Sequence, residues 1–244
     1  MIKKTAFVIG TGPSLRKIDM SKLKDKKTVT FNRAYIAFDD WGFDPTYYLS
    51  IDSNDLRSMY KDVNKLIENS QIEKFFLAAC EDNATHPESH WYQDQEKVES
   101  HYGMFTNSEK VYWIEKGPQK IQDCKIHHDP RTFSSHHHPN AGWMGIKLLY
   151  ALGYNEIAFV GCDSRYKDDE ESNQYITKIG RGYTSHADYD VNHFRDDYFG
   201  KGMTFGKPNM DQIISIWTSG KEEIETMSDL EVYSCTENST LNGV

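Results

Sequence analysis

The sequence predicts an α/β fold: a mostly parallel sheet with helices on both faces, formed by a single domain over residues 1–244. Three observations predict it. Short apolar runs typical of buried strands alternate with amphipathic stretches typical of helices, and this βαβ rhythm favours a parallel sheet. Small polar residues follow directly on several of the strands. Neither an internal repeat nor a linker divides the chain.

The first predicted strand, 5–9, leads into the turn Gly10, Thr11, Gly12, Pro13 and Ser14. Its glycines allow a tight turn and a close approach of a ligand to the backbone. Pro13 suits the first turn of a helix, and Ser14 can cap exposed N–H groups there. Such a turn can present N–H groups to a phosphate, although it matches neither a Walker A loop nor a complete G-x-G-x-x-G pattern. A nucleotide site and an ordinary strand-to-helix turn both remain open.

The other elements follow from apolar periodicity and capping residues. A helix over 140–153 has Asn140 as its cap and Gly153 at its end. Residues 81–138 predict irregular structure with substrate contacts, and the polar stretch 167–205 predicts a lid over the site. Further strands are predicted at 28–31, 46–51, 74–79, 110–115, 156–160 and 231–234, and further helices at 55–68 and 209–225.

Polar residues stand at the ends of four predicted strands, and they are Thr11, Asn32, Asp52 and Asp163. In an open α/β sheet, ligands bind at the edge formed by the carboxyl ends of the strands. The sequence therefore predicts one binding site at this edge.

Composition limits the function classes. The chain has 37 acidic and 28 basic residues, and its formal charge of -9 argues against a nucleic-acid partner. The N-terminal apolar stretch is too short for a signal peptide, and no segment approaches the roughly 20 apolar residues that span a bilayer. We expect a cytoplasmic protein without a transmembrane segment, in which free thiols are typical of the widely spaced Cys80, Cys124, Cys162 and Cys235.

Four segments together resemble the bacterial sialyltransferases of glycosyltransferase family 42, and a related family of motility accessory factors and 6-hydroxymethylpterin pyrophosphokinase-like proteins. The segments are 9–15 (IGTGPSL), 30–35 (TFNRAY), 151–163 (ALGYNEIAFVGCD) and 231–239 (EVYSCTENS). The resemblance implies a Rossmann-like (GT-A-like) domain that needs no metal or other cofactor. It implies transfer of an acidic sugar such as sialic acid from a CMP-linked donor to a glycan or surface-polysaccharide acceptor, and a homo-oligomer.

The resemblance also implies which residues bind the donor. Asn32 matches an asparagine that contacts the donor, whereas Thr11 and Asp52 stand where the family has asparagines. Where the family has arginine, threonine and serine before the central helix, this chain has His138, Asn140 and Ala141. The full predicted donor-binding set is Gly10, Thr11, Gly12, Pro13, Ser14, Asn32, Arg33, Asp52, Ser53, His138, Asn140, Ala141, Gly142, Asp163, Asn238 and Ser239.

Sugar transfer needs a base for the acceptor hydroxyl and groups that neutralise the departing phosphate. The family's catalytic histidine would lie close to Phe205, where this chain has none, and the nearest candidates are His193 and His186. We predict His193 as the base, with Arg165 and Tyr166 as ligands of the phosphate. The structural alternatives are a histidine that anchors the lid and a surface ion pair for the arginine.

Two other functions remain open. A 6-hydroxymethylpterin pyrophosphokinase-like enzyme would use Mg-ATP, with Asp52 and Asp163 as ligands of Mg²⁺. A non-catalytic accessory protein would keep the fold without turnover. Imidazoles are good ligands of zinc and nickel, but adjacent loop histidines rarely converge on one ion, so we predict no metal at His127, His128, His136, His137 and His138.

Overall fold

A seven-stranded parallel sheet organises the chain in the computed structural model. The structure describes residues 2–78, 101–114, 140–166, 176–179, 182–206 and 208–236, with 239 and 241. In chain order the strands are β1 (Thr5–Ile9), β2 (Thr28–Phe31), β3 (Tyr47–Ser50), β4 (Lys74–Ala78), β5 (Val111–Ile114), β6 (Glu156–Val160), β7 (Ile176–Ile179), β8 (Gly182–Ser185), β9 (Thr204–Gly206) and β10 (Glu231–Ser234). The helices are α1 (Phe38–Trp41), α2 (Ser53–Ser58), α3 (Tyr60–Asn69), α4 (His101–Met104), α5 (Ala141–Ala151) and α6 (Met210–Glu225).

The strand order of the large sheet is β10-β6-β1-β2-β3-β4-β5, and every pairing in it is parallel. The chain builds outward from β1 to β5 and then returns to the other side of β1 with β6. The order therefore reverses between β1 and β6. This confirms the predicted α/β fold with a mostly parallel sheet.

Helices cover both faces of the sheet because successive strand residues point to opposite sides. From β1, Ala6 and Val8 join the core that α5 and α6 cover, whereas Ile9 joins the core that α1, α2 and α3 cover. The central helix α5 is buried from Gly142 to Ala151, as expected of a helix in which Lys147 is the single charged residue. Each large apolar side chain buried in this way contributes about 1.5–3 kcal/mol.

The predicted helix over 55–68 differs from the structure. Two short helices, α2 and α3, replace it, because Met59 between them leaves helical geometry with φ -105° and ψ 5°. The apolar pattern is still satisfied, since Leu56 and Val63 both reach the core. The predicted strands and the helices over 140–153 and 209–225 are confirmed to within a few residues.

The segment predicted as a lid contains regular structure that the sequence did not indicate. Within 167–205, the described residues include β7 and β8, which form a small antiparallel sheet with β9. Among the residues that the structure describes, each helix is too short or too polar to cross a membrane.

Candidate functional site

The carboxyl ends of β1 and β6 meet where the strand order reverses. The N–H of Gly10 donates to the carbonyl oxygen of Val160 at 2.7 Å, and the N–H of Gly12 donates to that of Gly161 at 2.8 Å. A Cβ atom at Gly10 would overlap the Gly161 carbonyl, and one at Gly12 would overlap the Asp163 carboxylate, so this approach requires glycine. Ligands of open parallel sheets bind in the crevice at such a reversal, which makes it the candidate site.

The side chain of Asp163 links the two strand ends. Its Oδ2 accepts hydrogen bonds from the Ser14 hydroxyl at 2.7 Å and from the Ser14 N–H at 3.3 Å. The predicted helix cap by Ser14 is therefore wrong: Pro13–Lys17 forms a 3-10 helix without a side-chain cap, because Ser14 binds Asp163 instead. Ser239 reaches the same place, with its hydroxyl donating to the carbonyl oxygens of Cys162 at 2.9 Å and Asp163 at 3.3 Å.

These contacts use backbone N–H groups of the glycine turn as hydrogen-bond donors. Gly10 and Gly12 donate to the end of β6, Ser14 donates to Asp163, and Pro13 has no N–H. The turn is thus left without the row of free N–H groups on which the phosphate interpretation depends. Recognition of a ligand in the crevice must come mainly from neighbouring elements.

A stretch that we call the docked segment (residues 190–199) lies directly on this turn. The N–H of Phe194 donates to the carbonyl oxygen of Thr11 at 3.1 Å. Arg16 donates through Nη2 to two carbonyl oxygens of the segment at 2.8 and 3.0 Å, and Arg33 donates through Nε to a third at 2.8 Å. Side chains from the 3-10 helices that follow β1 and β2 therefore fix the segment beside the crevice.

The docked segment holds the imidazole of His193 in one orientation. Asp190 Oδ2 lies 2.8 Å from His193 Nδ1. Because a carboxylate only accepts hydrogen bonds, Nδ1 carries a proton, and in the neutral imidazole Nε2 is then an acceptor. The ring stacks on Tyr198 at 4.0 Å and 5°, and Tyr166 approaches it at 6.5 Å. A histidine oriented by a buried carboxylate is the usual arrangement of a general base.

The sequence singled out His193 and Tyr166, which the structure brings together, but it missed Asp190. The Asp-x-x-His spacing was the available signal. The buried Asp190 carboxylate also accepts from two backbone N–H groups, of Asn192 at 2.9 Å and Phe199 at 3.3 Å. Three donors therefore keep it in place.

The N-terminus of α5 supplies hydrogen-bond donors next to the end of β6. Asn140 Oδ1 accepts a hydrogen bond from the N–H of Trp143 at 3.2 Å, which confirms the predicted helix cap. The second polar atom of this side-chain amide is the donor Nδ2. Nδ2 is buried, and it has no partner in the part of the chain described. Gly142 lies against Cys162, since a Cβ atom there would stand 3.2 Å from Sγ. With the first N–H groups of an 11-residue helix, this end favours an anion.

A second polar group lies at the ends of β2 and β3. Asn32 adopts a left-handed conformation (φ 52°), and its buried Oδ1 has no partner among the described residues. Asp52 Oδ1 accepts from the N–H of Asp55 at 3.2 Å. Desolvation and the charge of Asp52 raise the pKa of Asp55 to about 7, which nearby Arg33 opposes. The sequence did not indicate this carboxyl, which belongs to an exposed residue.

Asp52 and Asp163 do not form a carboxylate pair. Asp52 follows β3 and Asp163 follows β6, with β1 and β2 between those strands. Three strand spacings amount to roughly 14 Å, too far for two ligands of one Mg²⁺. Within the described ranges, no three His, Cys, Asp or Glu side chains form a group that could hold a metal ion.

Some of the remaining predicted residues are described by the structure, and the others lie outside the described ranges. Arg165 is exposed just after Ser164, which has a left-handed φ of 46°, and Ser53 begins α2. Outside the described residues lie Asn238 and the histidines His127, His128, His136, His137 and His138.

Comparisons of the chain with family models, curated proteins and solved structures found no match. The likeness to the sialyltransferases therefore rests on the four sequence segments.

Proposed function

We propose that the chain is a cytoplasmic glycosyltransferase with a Rossmann-like fold, which uses a CMP-linked acidic sugar as donor and a glycan or surface-polysaccharide precursor as acceptor. The observation that carries the proposal is the Asp190–His193 pair, docked on the turn where the strand order reverses. It supports proton removal at the place where an open α/β sheet binds its ligand.

In this reaction His193 Nε2 takes the proton of an acceptor hydroxyl, and the acceptor oxygen attacks the anomeric carbon of the donor. The bond between that carbon and the phosphate oxygen of CMP breaks, and CMP leaves. Asp190 stabilises the imidazolium that forms. Arg165 and Tyr166, which follow β6, are the proposed partners of the departing phosphate.

The donor set at α5 supports an acidic sugar. Asn140 Nδ2 is a buried donor without an acceptor in the described part, and it lies at the N-terminus of α5 beside the end of β6. A carboxylate on the donor sugar would supply that acceptor and complement the helix dipole. Neutral sugars lack this group, so the arrangement favours sialic acid or a related acid. Residues 167–205 are proposed to close over the bound donor.

The first test is binding of CMP by the full chain. We expect CMP to bind by calorimetry and to raise the unfolding temperature. His193→Ala should keep this binding and lower the release of CMP from CMP-sialic acid by about 10²–10⁴-fold. His186→Ala, an exposed histidine at the edge of the same region, is the matched control and should change neither.

Each outcome separates the candidate functions. Absence of CMP binding would refute the donor assignment, and normal turnover of the His193 variant would remove it as the base. Turnover that requires ATP and is abolished by EDTA would indicate the pyrophosphokinase-like alternative. Binding of CMP without any release of CMP from the donor would indicate an accessory protein.

A further inference from the structure

The guanidinium of Arg57 is a buried cation that has no counter-ion among the described residues. Arg57 lies on α2 and is only 3% exposed. Its Nε and Nη1 are buried and have no hydrogen-bond partner in the described part of the chain. These two nitrogens carry three of the five N–H donors of a guanidinium.

The carboxylates nearest in sequence do not neutralise Arg57. No ion pair of Arg57 is present among the described residues, and the cation that lowers the pKa of Asp55, two positions earlier, is Arg33. More exposed arginines are paired, for example Arg16 with Asp196 at 2.8 Å. Because a guanidinium stays charged at all ordinary pH values, burial without an anion is unfavourable.

The position of Arg57 relates it to the candidate site. Helix α2 starts at the carboxyl end of β3 and contacts β3 and β4. Its neighbours Leu56 and Met59 pack in the core with Phe75 of β4. Arg57 therefore lies toward the edge of the sheet that holds the crevice, displaced from β1 by at least two strand spacings, or about 10 Å. A ligand that extends from the crevice along this edge would reach it.

We propose that Arg57 anchors an oxyanion subsite, which takes a carboxylate or a phosphate of the acceptor. A planar guanidinium binds either group through two parallel N–H donors, and such charge-assisted pairs are among the strongest hydrogen bonds in proteins. The assignment to the acceptor rests on the proposed function, whereas the oxyanion site itself does not. Bound anion would supply acceptors for the N–H groups that have none.

The substitution Arg57→Met tests the site in the full chain. It removes the charge and keeps an apolar side chain of similar length. If Arg57 is an unpaired buried charge, the variant should unfold at a higher temperature than the wild type when no anion is added, since apolar replacements of buried ions are often stabilising. If Arg57 has a purely structural role, the variant should unfold at a lower temperature than the wild type.

Inorganic phosphate and acetate are the probes, each titrated at constant ionic strength adjusted with sodium chloride. We expect at least one of them to raise the unfolding temperature of the wild type, and neither to affect Arg57→Met. Lys61→Met, an exposed lysine on the neighbouring helix, is the control and should respond as the wild type does. A response to phosphate alone indicates a phosphorylated acceptor, and a response to acetate indicates an acidic sugar.

The proposal is overturned if neither anion stabilises the wild type, or if Arg57→Met responds as strongly as the wild type. If Arg57→Met does not fold, Arg57→Lys is the deciding variant. Lysine keeps the positive charge but lacks the two parallel N–H donors of a guanidinium, so this variant should bind the anion about 10-fold more weakly. Unchanged anion binding by Arg57→Lys overturns the site. CMP binding is measured on the same samples. Anion binding without CMP binding defeats the proposed function alone, and the reverse defeats the subsite alone.

Discussion

Asp55 gives the sharpest pH-dependent prediction. Its pKa in the folded chain is about 7, raised from an ordinary value of 3.8 by desolvation and by the charge of Asp52. Because the folded chain holds this proton more tightly than the unfolded chain, the stabilising contribution is fully present below about pH 4 and is lost as the pH rises through about 7. Asp55→Asn removes the charge and should therefore stabilise the protein clearly more at pH 8 than at pH 5.

The magnitude follows from the size of the shift and the exposure of the side chain. A shift of about three pKa units corresponds to at most about 4 kcal/mol. Asp55 is exposed, so solvent screening reduces the expected gain to about 1–2 kcal/mol. For a chain of 244 residues, each 1 kcal/mol changes the unfolding temperature by roughly 2–4 °C. We expect Asp55→Asn to unfold about 2–8 °C higher than the wild type at pH 8.

Differential scanning calorimetry at pH 5 and pH 8 measures this difference directly. The matched control is Asp25→Asn, which removes an exposed carboxylate elsewhere and should leave the unfolding temperature nearly unchanged at both pH values. An equal change for Asp55→Asn at both pH values, or destabilisation at pH 8, would refute the argument. Either result would mean that burial and Asp52 do not hold the proton on this carboxyl.

Two further variants test the geometry around the crevice. Gly12→Ala places a methyl group onto the Asp163 carboxylate and should lower the free energy of unfolding by about 1–3 kcal/mol in urea, whereas Gly200→Ala, with only one atom 3.9 Å from its added Cβ, should have little effect. Arg16→Gln removes a guanidinium that donates to two carbonyl oxygens of the docked segment and pairs with Asp196 in it. It should raise amide exchange at Phe194 by about 10-fold, and unchanged exchange would show that the segment holds its position without Arg16.

The sequence was sufficient for the elements whose signals are local. Alternating or continuous apolar runs identified β1, β2, β4 and β6, and Asn140 marked the start of α5 by its capping propensity. Parallel pairing also followed, because helices between strands require crossover connections. The small sheet of β7 to β9 was not predicted, since its strands lie in a polar stretch without a clear apolar pattern.

The candidate site was predictable only in part, because its contacts join residues far apart in the chain. Serine is a residue type that commonly caps helices, yet the hydroxyl of Ser14 donates to Asp163, which is 149 positions away. Asp190 lies three residues before His193, so its spacing was visible, but only the fold shows that its carboxylate faces the ring. Arg57 carried no signal at all, because burial of a charged side chain is a property of the tertiary structure.

The glycine turn has a structural role at the contact between two strands. Its glycines are explained by the close contact of β1 with the end of β6, and its N–H groups of Gly10 and Gly12 are used in that contact. A phosphate site built on the turn alone would need those donors to be free. Among the described residues the clearest remaining donor is Asn140 Nδ2 at α5, and the proposed acceptor of protons is His193. The turn thus positions the two strand ends, and under the proposed function the chemistry is assigned to the elements beside it.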